Sequence, residues 1–268
     1  MRKLDPNQIR KIVLEMAYTG ASVHIPCAFS IVEILTVLYN KFIRLPDSKD
    51  PSYNGTRDYL VLSKGHGVMA LYACLKEFGI LSDSDIKNYF KDGTSLKGLC
   101  DAHVKGVEVT SGSLGHGLSV GVGLALASKL KKTDQKVFAI IGDGEANEGS
   151  IWEAIMFASH FKLSNLWVIV DANKFQAMGT TKEVLDMGNL KEKFESFGFY
   201  TVEVDGHDFG ALEMAISNGL EAQNNFVPKA IIAHTVKGKG VDFMENNNEW
   251  HYTRLTLQDY ESATSQIG

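Results

Sequence analysis

Two uninterrupted apolar runs dominate the pattern of the chain, Val137-Phe138-Ala139-Ile140-Ile141 and Leu166-Trp167-Val168-Ile169-Val170. Neither alternates, and both carry β-branched residues. Each therefore reads as a strand covered on both faces, as in parallel sheets. Further strand-like segments at 59–62, 200–204 and 229–233 join them. Apolar residues recur at helical spacing over Ile9 to Tyr18, Ser30 to Phe42, Val68 to Phe78 and Leu118 to Leu130, and over 148–160, 189–196 and 208–220. Ser30 is placed to cap the second of these helices, and Ser82 with Asp85 forms a capping-box pattern that starts another. Leu45 to Arg57, with Pro46, Pro51 and Gly55, reads as a loop. Residues 91–113 are polar and Gly-rich, with Val107 to Val109 as a short extended piece. The alternation predicts an α/β fold, a doubly wound and mostly parallel sheet with helices on both faces. No repeat or linker divides the chain, so 1–268 is expected to be one domain with a helical N-terminal segment at about 1–45.

Composition narrows the classes. The formal net charge is −5 with no basic tract, which argues against nucleic acid and against an anionic membrane surface as partners. The N-terminus lacks an h-region, and no apolar stretch reaches the roughly 18 residues needed to cross a membrane. Cys27, Cys74 and Cys100 form no CxxC and no metal spacing, and an odd number suits a reducing compartment. A cytoplasmic protein is expected.

The chemistry concentrates behind the two long runs. Gly142-Asp143-Gly144-Glu145 follows the first, and Asn173 follows the second, thirty residues after Asp143. At the carboxyl edge of a parallel sheet these residues open into a crevice. Asp143 and Asn173 offer two hard oxygen ligands, and a backbone carbonyl just past Asn173 offers a third. Such a set holds Mg²⁺ or Ca²⁺ and leaves positions for phosphate oxygens and water. Gly142 and Gly144 let the backbone approach a diphosphate closely. His24, His66, His103 and His251 stand in Gly-adjacent or loop-like contexts, which suits a polar pocket that binds phosphate and manages protons. Gly112-Ser113-Leu114-Gly115-His116-Gly117 opens a helix as a Gly-rich turn suited to a flat ring or an anion. Lys237-Gly238-Lys239-Gly240 reads as a flexible basic loop.

The GDG…N arrangement resembles that of thiamine-diphosphate enzymes. The ordered series Ser-x-Gly-His, Thr-Ser-Gly-Ser-Leu-Gly-x-Gly, Gly-Asp-Gly-Glu-x-x-x-Glu-Gly, Asp-x-Asn-Lys, Asp-Gly-His-Asp, Lys-Gly-Lys-Gly and Phe-Met-Glu-Asn-Asn-x-Glu-Trp-His is similar to the N-terminal half of transketolase, in its separate-subunit form. The resemblance implies thiamine diphosphate with Mg²⁺ or Ca²⁺ as cofactors. It makes Asp143, Asn173 and the Phe175 carbonyl the metal ligands, within a cofactor motif of Gly142, Asp143, Gly144 and Glu145. His66 and His251 would contact the diphosphate beside Gly144. Gly112, Ser113 and Leu114 would lie over the cofactor rings. His24 and His103 would face the sugar hydroxyls, and Glu148 would be a buried acid coupling two cofactor sites across a subunit interface. A helix N-terminal acid favoured by the dipole would also account for Glu148.

The resemblance further implies transfer of a two-carbon ketol unit from a ketose to an aldose. The partner would be a separate pyrimidine-binding, C-terminal-type subunit, in an α₂β₂ assembly. Two other readings share the motifs: the α subunit of a 2-oxo-acid dehydrogenase, and a non-catalytic interaction or regulatory protein on the same scaffold. Departures from the family pattern fall beside the sugar. Val23-His24-Ile25-Pro26-Cys27-Ala28 stands where the family reads Gly-His-x-Gly-Gly-Ser, Ala102-His103-Val104 stands for Gly-His-Pro, and His116 stands for Gln.

Overall fold

A computed structural model describes residues 3–45, 56–221 and 226–268. Five strands form one sheet: β1 (Tyr59–Leu62), β2 (Val137–Gly142), β3 (Leu166–Ala172), β4 (Tyr200–Asp205) and β5 (Lys229–His234). Their spatial order is β1-β2-β3-β5-β4, and every pair is parallel. All five expected strands are present, four of them one or two residues longer than the apolar runs. Beyond its apolar run β3 continues, still buried, through Asp171 and Ala172, and Asp171 pairs with Gly142 in the ladder.

Period-two geometry divides each strand between two cores. Phe138 and Ile140 of β2, Trp167 and Ile169 of β3, and Ile231 of β5 enter one. Val137, Ala139, Ile141, Val168, Val170 and Ile232 enter the other. Trp167 stacks on Phe138 at 5.9 Å. The first core is covered by α1 (Pro6–Thr19), α2 (Ile25–Phe29), α3 (Val32–Val37), α4 (Val68–Glu77) and α5 (Asp83–Lys87). The second is covered by α6 (Gly117–Leu130) and α7 (Gly149–His160). The short α8 (Thr181–Leu185) is exposed, and α9 (Leu190–Ser196) puts Phe194 into the second core. The chain then turns back, because β5 lies between β3 and β4. A right-handed crossover in the reverse direction must use the opposite face. Accordingly α10 (Phe209–Leu220) packs with Leu212 and Ile216 in the first core, joined by α11 (Leu257–Gln266) through Ala263.

Several expectations are corrected. The helix expected at 30–42 starts two residues later and changes character along its length. α2 ends at Phe29, α3 begins at Val32, and a wider π-type turn runs from Leu38 to Phe42. Ser30 has helical φ and ψ, and its hydroxyl is a donor to Cys27 O and Asp171, so it caps nothing at an N-terminus. Ile25–Phe42 does have the length and mean hydropathy, 1.3, of a membrane-crossing helix, but it is 83% buried inside the protein. Residues 107–109 form no strand. Most of the loop expected at 45–57 lies outside the described residues.

Candidate active site

The carboxyl ends of β1, β2 and β3 open into one cleft of about 330 Å³. It is lined by His24, His66, Gly112, Leu114, Gly142, Asp143, Gly144, Glu145, Glu148, Asn173, Phe175 and His251, so eleven positions from different parts of the sequence converge with Glu148 at one place. Ser113 is exposed and outside the lining.

Beneath the cleft lies a polar hub that sequence reasoning missed. Asp171, fully buried on β3, accepts hydrogen bonds from Ser30 Oγ at 2.7 Å and Asn173 Nδ2 at 2.8 Å, and also from Lys64 and Thr235. Burial alone would raise the Asp171 pKa, but the Lys64 charge and these hydrogen bonds hold it below the usual carboxylate range. Lys64 has only 1% of its surface exposed and also donates to Cys27 O at 3.2 Å. The hub orients Asn173. Its amide nitrogen is engaged by Asp171, so its oxygen faces the other way, where it accepts the Phe175 N–H at 3.1 Å.

Asp143, at the end of β2, is 7% exposed and accepts Gly144 N–H at 2.8 Å and Lys174 N–H at 2.6 Å. Burial, then the neighbouring Asp171 charge, push its pKa up to about 7. A cation would relieve both effects. No group of three or more His, Cys, Asp or Glu side chains is placed for a metal among the described residues. The donors available are instead one carboxylate, one amide oxygen and main-chain carbonyls, a set suited to a hard divalent cation. Two buried polar atoms on residues lining the same cleft, Asn147 Oδ1 and Gln176 Nε2, have no partner in the protein. Buried polar groups are rarely left so, and a polar ligand would satisfy them.

Glu145 braces the site. Its carboxylate accepts Ser63 Oγ at 2.5 Å, Gly115 N–H at 2.9 Å and Gly142 N–H at 3.1 Å, tying the β1 end, the Gly-rich turn and the β2 end together. Gly115 has φ +87°, and a Cβ there would lie 2.5 Å from Ser150 Oγ, so the turn admits only glycine.

Three imidazoles form the opposite wall. The His24 ring lies 5.4 Å from His66 and 5.2 Å from His251, and His66 lies 6.1 Å from His251. Burial first, then neighbouring lysines, lower the pKa of His24 and bring that of His251 down to about 3. His66 is lowered well below its ordinary value by the same causes. The three rings are thus neutral hydrogen-bonding groups in the free chain, beside the ammonium groups of Lys64 and Lys237. His24 holds φ +66°, a left-handed conformation at the start of α2 that a glycine-free loop must strain to reach.

Other expectations fare differently. The His103 side chain is 92% exposed, bonded to Asp101 at 2.8 Å, and absent from the cleft wall. Leu99 from the same loop lines the cleft and packs on the Gly112 turn. Glu148 is exposed in the chain by itself. Lys237, expected in a flexible basic loop, is fully buried.

With this geometry in place, comparison with known proteins identifies the class. The family model for the thiamine diphosphate binding domain of transketolase matches residues 1–268. The chain belongs to that transketolase family. A similar relative is an apulose-4-phosphate transketolase subunit of Phocaeicola vulgatus, 37% identical over 99% of this chain and 93% of its own. Its counterpart in Actinobacillus succinogenes is 41% identical over 96% of this chain and 92% of its own. The 6-deoxy-6-sulfo-D-fructose transketolase subunit SqwG of a Clostridium species is 37% identical over 97% of this chain and 94% of its own. The crystal structure of Campylobacter jejuni transketolase superposes with a TM-score of 0.90 at 30% identity, covering 98% of this chain and 42% of that one. The chain thus spans about two fifths of that longer transketolase.

Proposed function

We propose that this chain is the diphosphate- and metal-holding subunit of a transketolase-like transferase, which moves a two-carbon ketol unit from a ketose to an aldose. The observation that carries the reading is the cleft itself. Asp143, Asn173 and the Phe175 main chain stand at adjacent strand ends, with His24, His66 and His251 on the other wall and two unpartnered polar atoms, of Asn147 and Gln176, beside them. In this reading Asp143, the Asn173 oxygen and the Phe175 carbonyl would hold Mg²⁺ or Ca²⁺, and His66, His251 and Gly144 would serve the diphosphate. When bound, thiamine diphosphate supplies the ring carbon that carries the two-carbon unit. The chain's own residues hold the anion, exclude water and present neutral imidazole donors to substrate oxygens. His24 is the sugar-side histidine in the cleft.

The names of the near-full-length relatives, each a transketolase subunit, support a separate partner that holds the aminopyrimidine. We place Glu148 at the junction with other subunits in an α₂β₂ complex, treat 1–268 as one domain, and place the protein in cytoplasmic carbohydrate metabolism. Three free, buried cysteines agree with the last point.

The test is an assay of the tagged chain purified with its co-assembled partner. Ketol transfer to an aldose that requires both thiamine diphosphate and Mg²⁺ is expected. Lipoyl-dependent decarboxylation of a 2-oxo acid in place of that transfer would assign the chain to the other enzyme class. Failure of the complex to bind the cofactor would reduce it to a non-catalytic scaffold.

A further inference from the structure

Lys237 has no exposed surface, yet its ammonium group carries three N–H donors that burial requires to be matched. Three acceptors surround it: Asn248 Oδ1 at 2.7 Å, His251 Nδ1 at 2.7 Å and, more distantly, Gln176 O at 3.5 Å. The Phe175 ring centroid lies 5.5 Å away and adds a cation–π contact. Asn248 is itself held, since its Nδ2 donates to Ala177 O at 3.1 Å. Burial lowers the Lys237 pKa, but the two oxygens it faces, Asn248 Oδ1 and Gln176 O, can only accept, which favours the ammonium form. An ammonium has no lone pair to offer, so in the contact with His251 the lysine donates and Nδ1 accepts.

We propose that Lys237 is a positioning residue that fixes His251 as a neutral imidazole whose Nε2–H is its free donor. With Nδ1 engaged, the single ring proton must sit on Nε2. The Cys27 thiol, 3.9 Å from Nδ1, lies on the same side of the ring and leaves Nε2 unencumbered. Burial and the Lys237 charge keep a second proton off the ring, which agrees with this geometry. His251 then acts only by donating a hydrogen bond to a lone-pair-bearing oxygen in the cleft. It has no free nitrogen lone pair with which to remove a proton, so base catalysis falls to other groups.

The part this donor has in ketol transfer rests on the function proposed above. The tautomer does not, and it is read directly on the full chain labelled with ¹⁵N-histidine, from long-range ¹H–¹⁵N correlations of the His251 ring near neutral pH. A single Nε2–H tautomer is expected in the wild-type chain. Lys237→Met, which removes the donor but keeps an unbranched chain of similar length, should release the ring to comparable amounts of both tautomers. Lys237→Arg restores a donor-only cation and should restore the single tautomer. A wild-type His251 protonated on Nδ1, or on both nitrogens, would overturn the inference without any variant needing to fold. A Lys237→Met ring that stays wholly in the Nε2–H form would show that other contacts do the positioning. If the wild-type tautomer is as expected but thiamine diphosphate does not bind the assembled complex with Mg²⁺, the proposed function fails and the inference stands.

Discussion

At the scale of single residues, Asp143 is where removal should cost most. Second-sphere changes at metal sites lower affinity by roughly 10–100-fold, so if Asp143 is the charged metal ligand of the proposed function its loss should reach about 100-fold or more. Asp143→Ala is therefore expected to abolish metal-dependent thiamine diphosphate affinity in the assembled complex, as read by titration calorimetry, and wild-type affinity would remove Asp143 from the site. His103 gives the opposite expectation. Its ring is exposed and bonded only to Asp101, and surface substitutions of that kind change energies by about 0.5 kcal/mol or less. His103→Ala should leave kcat/KM within about twofold of wild type, and a loss on the order of 100-fold would mean that the loop closes over the sugar during turnover. Leu99 was invisible as a site residue because a leucine in a polar, Gly-rich segment carries no chemical signal of its own. Lys237 and Asp171 were hidden for a related reason: burial of a charge is a property of packing, and a short motif does not record it.

At the scale of elements, the Arg10–Glu33–His207 cluster ties distant segments together. Arg10 of α1 reaches both oxygens of Glu33 on α3, at 2.8 and 2.9 Å, and donates to Lys239 O at 2.8 Å. His207, in the turn before α10, contacts Glu33 Oε2 at 2.8 Å and accepts the Val236 N–H at 2.8 Å. The cluster thereby anchors the segment that carries Lys237. Burial raises the Glu33 pKa, but the His207 and Arg10 hydrogen bonds outweigh it and hold the pKa below its ordinary value. A depressed folded-state pKa stabilises fully above the unfolded-state value. That contribution is lost as pH falls through the folded value, so the cluster should weaken in the acid range. Removing one partner of a buried pair leaves an uncompensated charge and costs about 3–5 kcal/mol. Glu33→Gln should lower stability by about that amount near neutral pH, measured by urea unfolding, and should flatten the acid limb of the stability profile. A cost below about 0.5 kcal/mol would show the cluster to be dispensable.

At the scale of the molecule, the cleft is open on the side where Leu99, Glu148 and Met178 are exposed. The proposed function therefore predicts that the chain alone binds metal and diphosphate but does not transfer ketol units. Activity should appear when a pyrimidine-binding subunit is added. The check is an assay of the isolated chain, confirmed free of partner by mass spectrometry, with several ketose donors and aldose acceptors. Robust transfer by that preparation would show that no second subunit is required.

The sequence by itself determined the five strands, their parallel character and the strand-end position of Asp143 and Asn173. Unbroken β-branched runs and Gly-rich turns are local signals, and they survive without knowledge of what packs on them. The ordered motif series also carried the family, which the comparisons bear out. Tertiary structure decided what depends on distance between remote segments. It separated α2 from α3 at Ser30, whose hydroxyl reaches Asp171, and it buried Ile25–Phe42 in the core despite a hydropathy suited to a membrane. It placed Lys64 and Lys237 beneath the cleft, turned Glu145 into a brace, and put Leu99 on the wall in place of His103. For the buried charges of Lys64 and Glu145 a desolvation cost is met by partners tens of residues away, and no local pattern encodes that pairing.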